Sequence, residues 1–181
     1  MTTLIESRRR DDILPEYRDT PIGDLLAWHN LGVPPRPYAR PETLVVMCMD
    51  FRKRLSLPDN FAYVLRVGGA NAAAVDPYVA FAVAVARVRA VAVIVHDDCA
   101  MAAVASRRGE FVSGLVANAG WDRAAAEAYV AARAAAMEIG EPAAFAAEQC
   151  RSLRDRYPGI VAAPLFYSVA DGLLRQVREA P

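Results

Sequence analysis

The apolar positions of this chain change their pattern at about residue 40, and the change predicts the fold. From there on, short strand-like runs alternate with helical stretches. The first run is Leu44-Val-Val-Met-Cys48. The second, Phe61-Ala-Tyr-Val-Leu-Arg66, leads into the turn Gly68-Gly69, and the third runs from Ala90 to Val95 and stops at His96. This third run is a nearly unbroken series of valine, isoleucine and alanine, which suits a strand covered on both faces. Between the second and third, Asp76-Pro77 predicts a helix start, with a carboxylate N-cap followed by proline at the first helical position. The helix is expected to reach about Arg89 and to feed the third strand directly. Strand, crossover helix, strand is the parallel βαβ arrangement.

After Cys99 the chain reads as helical and very rich in alanine. One helix is expected over 122–138 with Gly140 as its stop, and another over 143–156, ending at Tyr157-Pro158-Gly159. Leu165 to Val169 and Leu173 to Val177, joined through Ala170-Asp171-Gly172, predict a closing β-hairpin. The fold class is therefore α/β: a mostly parallel central β-sheet flanked by helices, with an N-terminal helical arm and a C-terminal hairpin.

The first forty residues are mixed and proline-rich. Ile22 to Trp28 reads as a short amphipathic helix and Pro34-Pro35-Arg36-Pro37 as a stiff loop. Arg8-Arg9-Arg10 is followed at once by Asp11-Asp12, so it reads as a solvated arm and not as a nucleic-acid patch. The expected organisation is an arm over residues 1–40 and a single α/β domain over residues 41–181.

Composition narrows the class. The 181 residues suit one domain with a real core. Basic and acidic residues number 21 each, so no net charge draws the chain to nucleic acid or to an acidic membrane. Nearly all the basic residues are arginine, and Lys53 is the only lysine. The N-terminus lacks the apolar core of a signal peptide, and the apolar stretch from Tyr78 to Val95 is broken by Arg87 and Arg89. Three cysteines without a pairing pattern suit a reducing compartment. A soluble cytoplasmic protein is expected.

Two of those cysteines carry the chemistry. Cys48 and His96-x-x-Cys99 fall where strands stop, and ligands gather at the carboxyl ends of parallel strands. A lone cysteine on a strand is usually a small apolar residue, and a lone histidine is often a satisfied core group. Two thiolates and an imidazole meeting at strand ends are a zinc ligand set, with a fourth position left for chemistry. Asp50 and Arg52, two residues apart just past Cys48, can form a charge-assisted pair in which arginine keeps the carboxylate ionised and aimed. Cys150, in a helix beside Ala146 and Ala147, reads as packing, and His29 as a helix residue and not a proton relay. Gly68-Gly69 follows a strand, but no Gly-x-Gly-x-x-Gly fingerprint or phosphate-binding lysine accompanies it.

Cys48-x-Asp50-x-Arg52, then Arg66-Val-Gly68-Gly69, then His96-x-x-Cys99 resembles the β-class carbonic anhydrases, from about Leu44 through the C-terminal hairpin. The resemblance implies one zinc ion per chain held by Cys48, His96 and Cys99, with Asp50 and Arg52 as a catalytic dyad. It implies interconversion of carbon dioxide and bicarbonate by zinc-bound hydroxide. Some members of that family swing the aspartate onto the metal, so Asp50 is also a candidate fourth ligand in a closed state. A homodimer or higher oligomer is implied, with the N-terminal segment, including Leu25 and Trp28, packed on the partner. Phe51 stands where the family usually has serine or alanine, Ala100 where glycine commonly follows the last cysteine, and Val95 where glycine often precedes the histidine. Hydrolysis of carbonyl sulfide or carbon disulfide by the same centre, and a zinc-binding homologue without catalysis, remain open alternatives.

Overall fold

In a computed structural model of the chain, which describes residues 2–179, the three apolar runs become neighbouring parallel strands of one six-stranded sheet. Strands β2 (Thr43–Met47) and β4 (Ala90–His96) are buried along their whole length. They lie side by side and parallel, Thr43 opposite Ala90 and Met47 opposite Ile94. Strand β3 (Ala62–Arg66) pairs parallel with the outer side of β2, and β5 (Val161–Tyr167) pairs parallel with β4. Strand β6 (Leu174–Glu179) then runs antiparallel to β5, as the hairpin reading expected.

The sixth strand was not expected. Residues Thr2–Glu6 form β1, antiparallel to β6, so the sheet order is β1-β6-β5-β4-β2-β3. Nothing in five mixed residues beside an arginine triplet announces a strand. The exposed edge of β6 supplies its hydrogen-bonding partners, and that edge exists only in the folded sheet.

Because successive side chains point to opposite faces, the inner strands feed two core layers. Val45, Met47, Ala92, Ile94 and Leu165 face helix α1 (Pro21–Leu31), where Ile22, Leu25 and Leu26 are fully buried. Leu44, Val46, Val91, Val93 and Val95 face the other side, covered by α2 (Asp76–Ala84) and α5 (Pro142–Arg156). Helices α3 (Arg108–Ala119) and α4 (Arg123–Met137) form a hairpin around a small core of their own, built on Val112, Val130 and Ala134.

The placement of Leu25 corrects one part of the reading of the first forty residues, its packing on a partner copy. Its side chain is already covered by its own sheet, at about 1.5–3 kcal/mol for burial of one such residue. A buried glutamine ties the segment down as well. Gln176 of β6 accepts from the Leu14 N–H at 2.7 Å and donates to Ser7 Oγ at 2.9 Å and to the Asp12 carbonyl at 3.0 Å. The arginine triplet is exposed, as a solvated segment should be.

A second correction concerns α2, which ends at Ala84 and not near Arg89. Arg87 adopts a left-handed conformation with φ 58°, and the Val88 N–H returns to the Ala82 carbonyl. The chain must turn back to bring Ala90 into the sheet, and burial of β4 outweighs the helical preference of Ala84 to Arg89. Asp76 is the first helical residue and makes no cap hydrogen bond; its carboxylate pairs with Arg156. Among the described residues no helix is long and apolar enough to cross a membrane.

Candidate metal centre

Cys48 is the first residue beyond β2 and His96 the last of β4, so the parallel register of the two strands brings them together at one edge of the sheet. Cys99 follows three residues later and precedes a tight helical turn over Ala100–Ala103. The donor atoms of all three lie within 4.8 Å of one another, and the two sulfurs are 3.9 Å apart. Two thiolates on a tetrahedral zinc at the usual bond length sit about 3.8 Å apart. His96 is completely buried, yet neither ring nitrogen has a hydrogen-bond partner among the described residues. An unsatisfied buried polar group costs about 1–3 kcal/mol, so the ring is arranged for something other than a protein partner. The three side chains fit a metal ion.

The thiols behave as a proton-sharing pair. The Cys48 thiol is pulled down, chiefly by a hydrogen bond from Cys99, with the backbone N–H groups of Asp50 and Gly69 adding to it. Cys99 is pushed up, first by the Cys48 sulfur it donates to and then by burial. One thiolate thus stands ready, and the shared proton is what a metal displaces on binding.

Asp50 and Arg52 meet as expected. The Arg52 backbone N–H donates to Asp50 Oδ1 at 2.9 Å, its Nε bridges both carboxylate oxygens at 3.1 Å, and Nη2 donates to Oδ2 at 2.7 Å. The guanidinium holds the Asp50 carboxyl well below the usual carboxylate range. Asp50 is therefore ionised, oriented and turned to Arg52.

No protein-family profile matches the chain, and no curated protein is close enough in sequence to count as a relative. Solved structures do match. A carbonic anhydrase from Glaciozyma antarctica aligns at TM-score 0.57 over 90% of this chain and 94% of that one, with 22% identity. The β-carbonic anhydrase isoform I of Trichomonas vaginalis aligns at 0.60 over 79% and 86%, with 14% identity. The apo form of a carbon disulfide hydrolase aligns at 0.55 over 77% and 79%, with 18% identity. The chain has the β-carbonic anhydrase fold.

On this β-carbonic anhydrase fold, Asp97 and Asp98, which the sequence reading passed over, and Arg66, quoted there only as part of a motif, hold the centre in shape. Asp98, in the left-handed region at φ 51°, accepts from Arg52 Nη1 at 2.8 Å through its side chain and from Nη2 at 3.0 Å through its carbonyl. Asp97 accepts from the Val169 N–H at 2.9 Å and so fastens the same loop to the end of the sheet. Arg66 donates to the carbonyls of Cys48, Asp50 and Lys53 at 3.4–3.5 Å. The roles of Asp97 and Asp98 carry no signal in sequence, because each acts across a loop contact that only the sheet creates.

Gly68-Gly69 acquires a physical role here. The Gly69 N–H points at Cys48 Sγ, 3.4 Å away. Its φ of 65° suits glycine, and an added Cβ would lie 2.6 Å from Ile139 Cγ2. Phe51 projects into solvent at 89% exposure and leaves the Asp50–Arg52 pair undisturbed. His29 uses both ring nitrogens: Nδ1 accepts from the Ser56 N–H at 3.1 Å, so Nε2 carries the hydrogen and donates to the Gly172 carbonyl at 2.8 Å. It clasps α1 to two loops. Cys150 is buried in the core layer beneath α5, as its neighbours implied.

Proposed function

We propose that this chain is a zinc enzyme that reversibly hydrates carbon dioxide to bicarbonate, with Cys48, His96 and Cys99 as ligands and Asp50 and Arg52 as the catalytic dyad. One observation carries the reading: an ionised Asp50, engaged by Arg52, stands beside a buried two-thiol, one-imidazole cluster whose histidine has no protein partner. Bound there, zinc would supply a Lewis acid that makes water nucleophilic near neutral pH. The protein's part is positional. Asp50 has one face committed to Arg52 and keeps lone pairs to accept a proton of the attacking water, which aims its oxygen at the carbon of a small linear electrophile. Arg52 holds Asp50 away from the metal position and keeps it charged. Gly69 steadies the Cys48 sulfur through its N–H. Zinc content and stopped-flow carbon dioxide hydration, measured on one preparation, test the reading; zinc without hydration would leave a metal-binding homologue without catalysis.

A second reading has a specific observation in its favour. Met49 and Phe51, the sequence neighbours of Asp50, are both strongly exposed, and together they would give the dyad an apolar rim. Such a rim suits carbonyl sulfide or carbon disulfide, and the same preparation assayed for sulfide release distinguishes them.

The chain is further proposed to act as a homodimer or higher homo-oligomer. Tyr63 on the outer edge strand β3, Tyr78 and Phe81 on α2 and Val85 just beyond its end are exposed apolar side chains that a partner copy would cover.

A further inference from the structure

The only lysine of the chain is buried at this centre. Every other basic residue is arginine, and most lie at the surface. Lys53 is 2% exposed, and its Nζ has no hydrogen-bond partner among the described residues. The strap that carries it crosses the carboxyl ends of the inner strands. On one side Arg66, the last residue of β3, donates to the Lys53 carbonyl at 3.4 Å. On the other, the Arg54 N–H donates at 3.2 Å to the hydroxyl of Tyr167, the last residue of β5. The sheet order places the ends of β2 and β4, which lead into Cys48 and terminate in His96, between those two anchors. A side chain shielded from water on this strap enters the region around the cluster. Burial opposes its charge, and the anions that favour that charge are Cys48, Asp50 and Cys99; Arg66 opposes it.

Charge counting then gives the lysine a purpose. Two thiolates balance a divalent ion, and Asp50 balances Arg52. Asp98 is 84% exposed on its side chain and solvated, and the Arg66 guanidinium is spread over three carbonyls. An anion in the fourth metal position would leave one buried negative charge without a counterpart. Lys53 is a buried, unpartnered amine, whose positive charge burial opposes and an anion in the fourth position would favour. An ammonium suits the position better than a guanidinium, because it is a compact point charge with fewer donors to satisfy.

We propose that Lys53 is the counter-charge for an anionic fourth ligand, so that the centre favours anions, bicarbonate among them, over neutral molecules of similar size. The inference rests on the zinc reading above. It is tested on the full chain loaded with cobalt(II), whose visible spectrum reports the fourth ligand. Azide serves as the anionic probe and imidazole as the neutral one, in the wild type, Lys53→Met and Lys53→Gln. All three proteins should bind one cobalt, with azide about tenfold weaker in both variants and imidazole unchanged. Azide binding equal to the wild type in the folded variants would overturn the proposal, as would equal weakening of both probes. Failure of the wild type to take up cobalt would instead bring down the metal reading on which it rests.

Discussion

Arg52 reaches across from Asp50 to Asp98, donating to its carboxylate at 2.8 Å and to its carbonyl at 3.0 Å. One guanidinium thereby ties the loop after Cys48 to the loop between His96 and Cys99. As a partly exposed ion pair it contributes about 0–1 kcal/mol to stability. Its value is positional, because both thiols and the carboxylate hang from the segments it joins.

Removing that tie should separate metal binding from activity. Arg52→Ala keeps the three proposed metal ligands, so zinc content should stay near one per chain. Asp50, released from its partner, is free to swing onto the metal, and hydration should fall about a hundredfold. Wild-type rates for Arg52→Ala at neutral pH would show that the dyad is not the gate.

The cysteines should divide sharply. Cys99→Ser removes one of three donors and should strip the metal under mild chelation. Cys150→Ala should retain full metal and lose only about 1 kcal/mol of stability as a core truncation. Elemental analysis of the two variants side by side checks both outcomes.

Gly69→Ala puts a methyl against Ile139 and forces a side chain into left-handed backbone. A loss of about 2–3 kcal/mol in unfolding free energy is expected, with faster release of metal to a chelator. Adding Ile139→Ala should relieve the clash but not the backbone strain, so rescue should be partial. A double variant no more stable than Gly69→Ala would remove the steric explanation.

His29 predicts a pH dependence of stability. Burial lowers its folded-state value below the ordinary 6.5, since protonation would also break the bond from the Ser56 N–H. The unfolded chain then takes up the proton first. Stability should be highest above pH 6.5 and decline as pH falls from there toward the folded value. Denaturant midpoints against pH should show this decline in the wild type and a flatter profile in His29→Gln.

The N-terminal segment and the apolar face should have separable effects. Leu25→Ala, in the chain's own core, should cost about 2–5 kcal/mol of stability. Phe81→Asp, on the exposed face of α2, should leave each chain folded and lower the molar mass seen by light scattering. An oligomer indifferent to Phe81→Asp would place the interface elsewhere.

The inner sheet was legible because its strands carry their environment in their composition. Ala90 to His96 is apolar at nearly every position, as a strand buried on both faces must be, and residues at its end and at the end of β2 offer metal ligands. Local spacing also disclosed Asp50 and Arg52, since the turn after Cys48 lets two residues so close in sequence face each other. Sequence alone therefore determined the parallel core, the candidate donor cluster and the Asp50–Arg52 pair. Tertiary structure alone decided the rest. Strand β1 depends on a free edge of β6, the early end of α2 depends on the return path to β4, and Leu25 faces its own sheet because that surface lies nearest. Asp98, Gly69 and Lys53 matter through contacts across loops distant in sequence, and no periodicity or composition records such contacts.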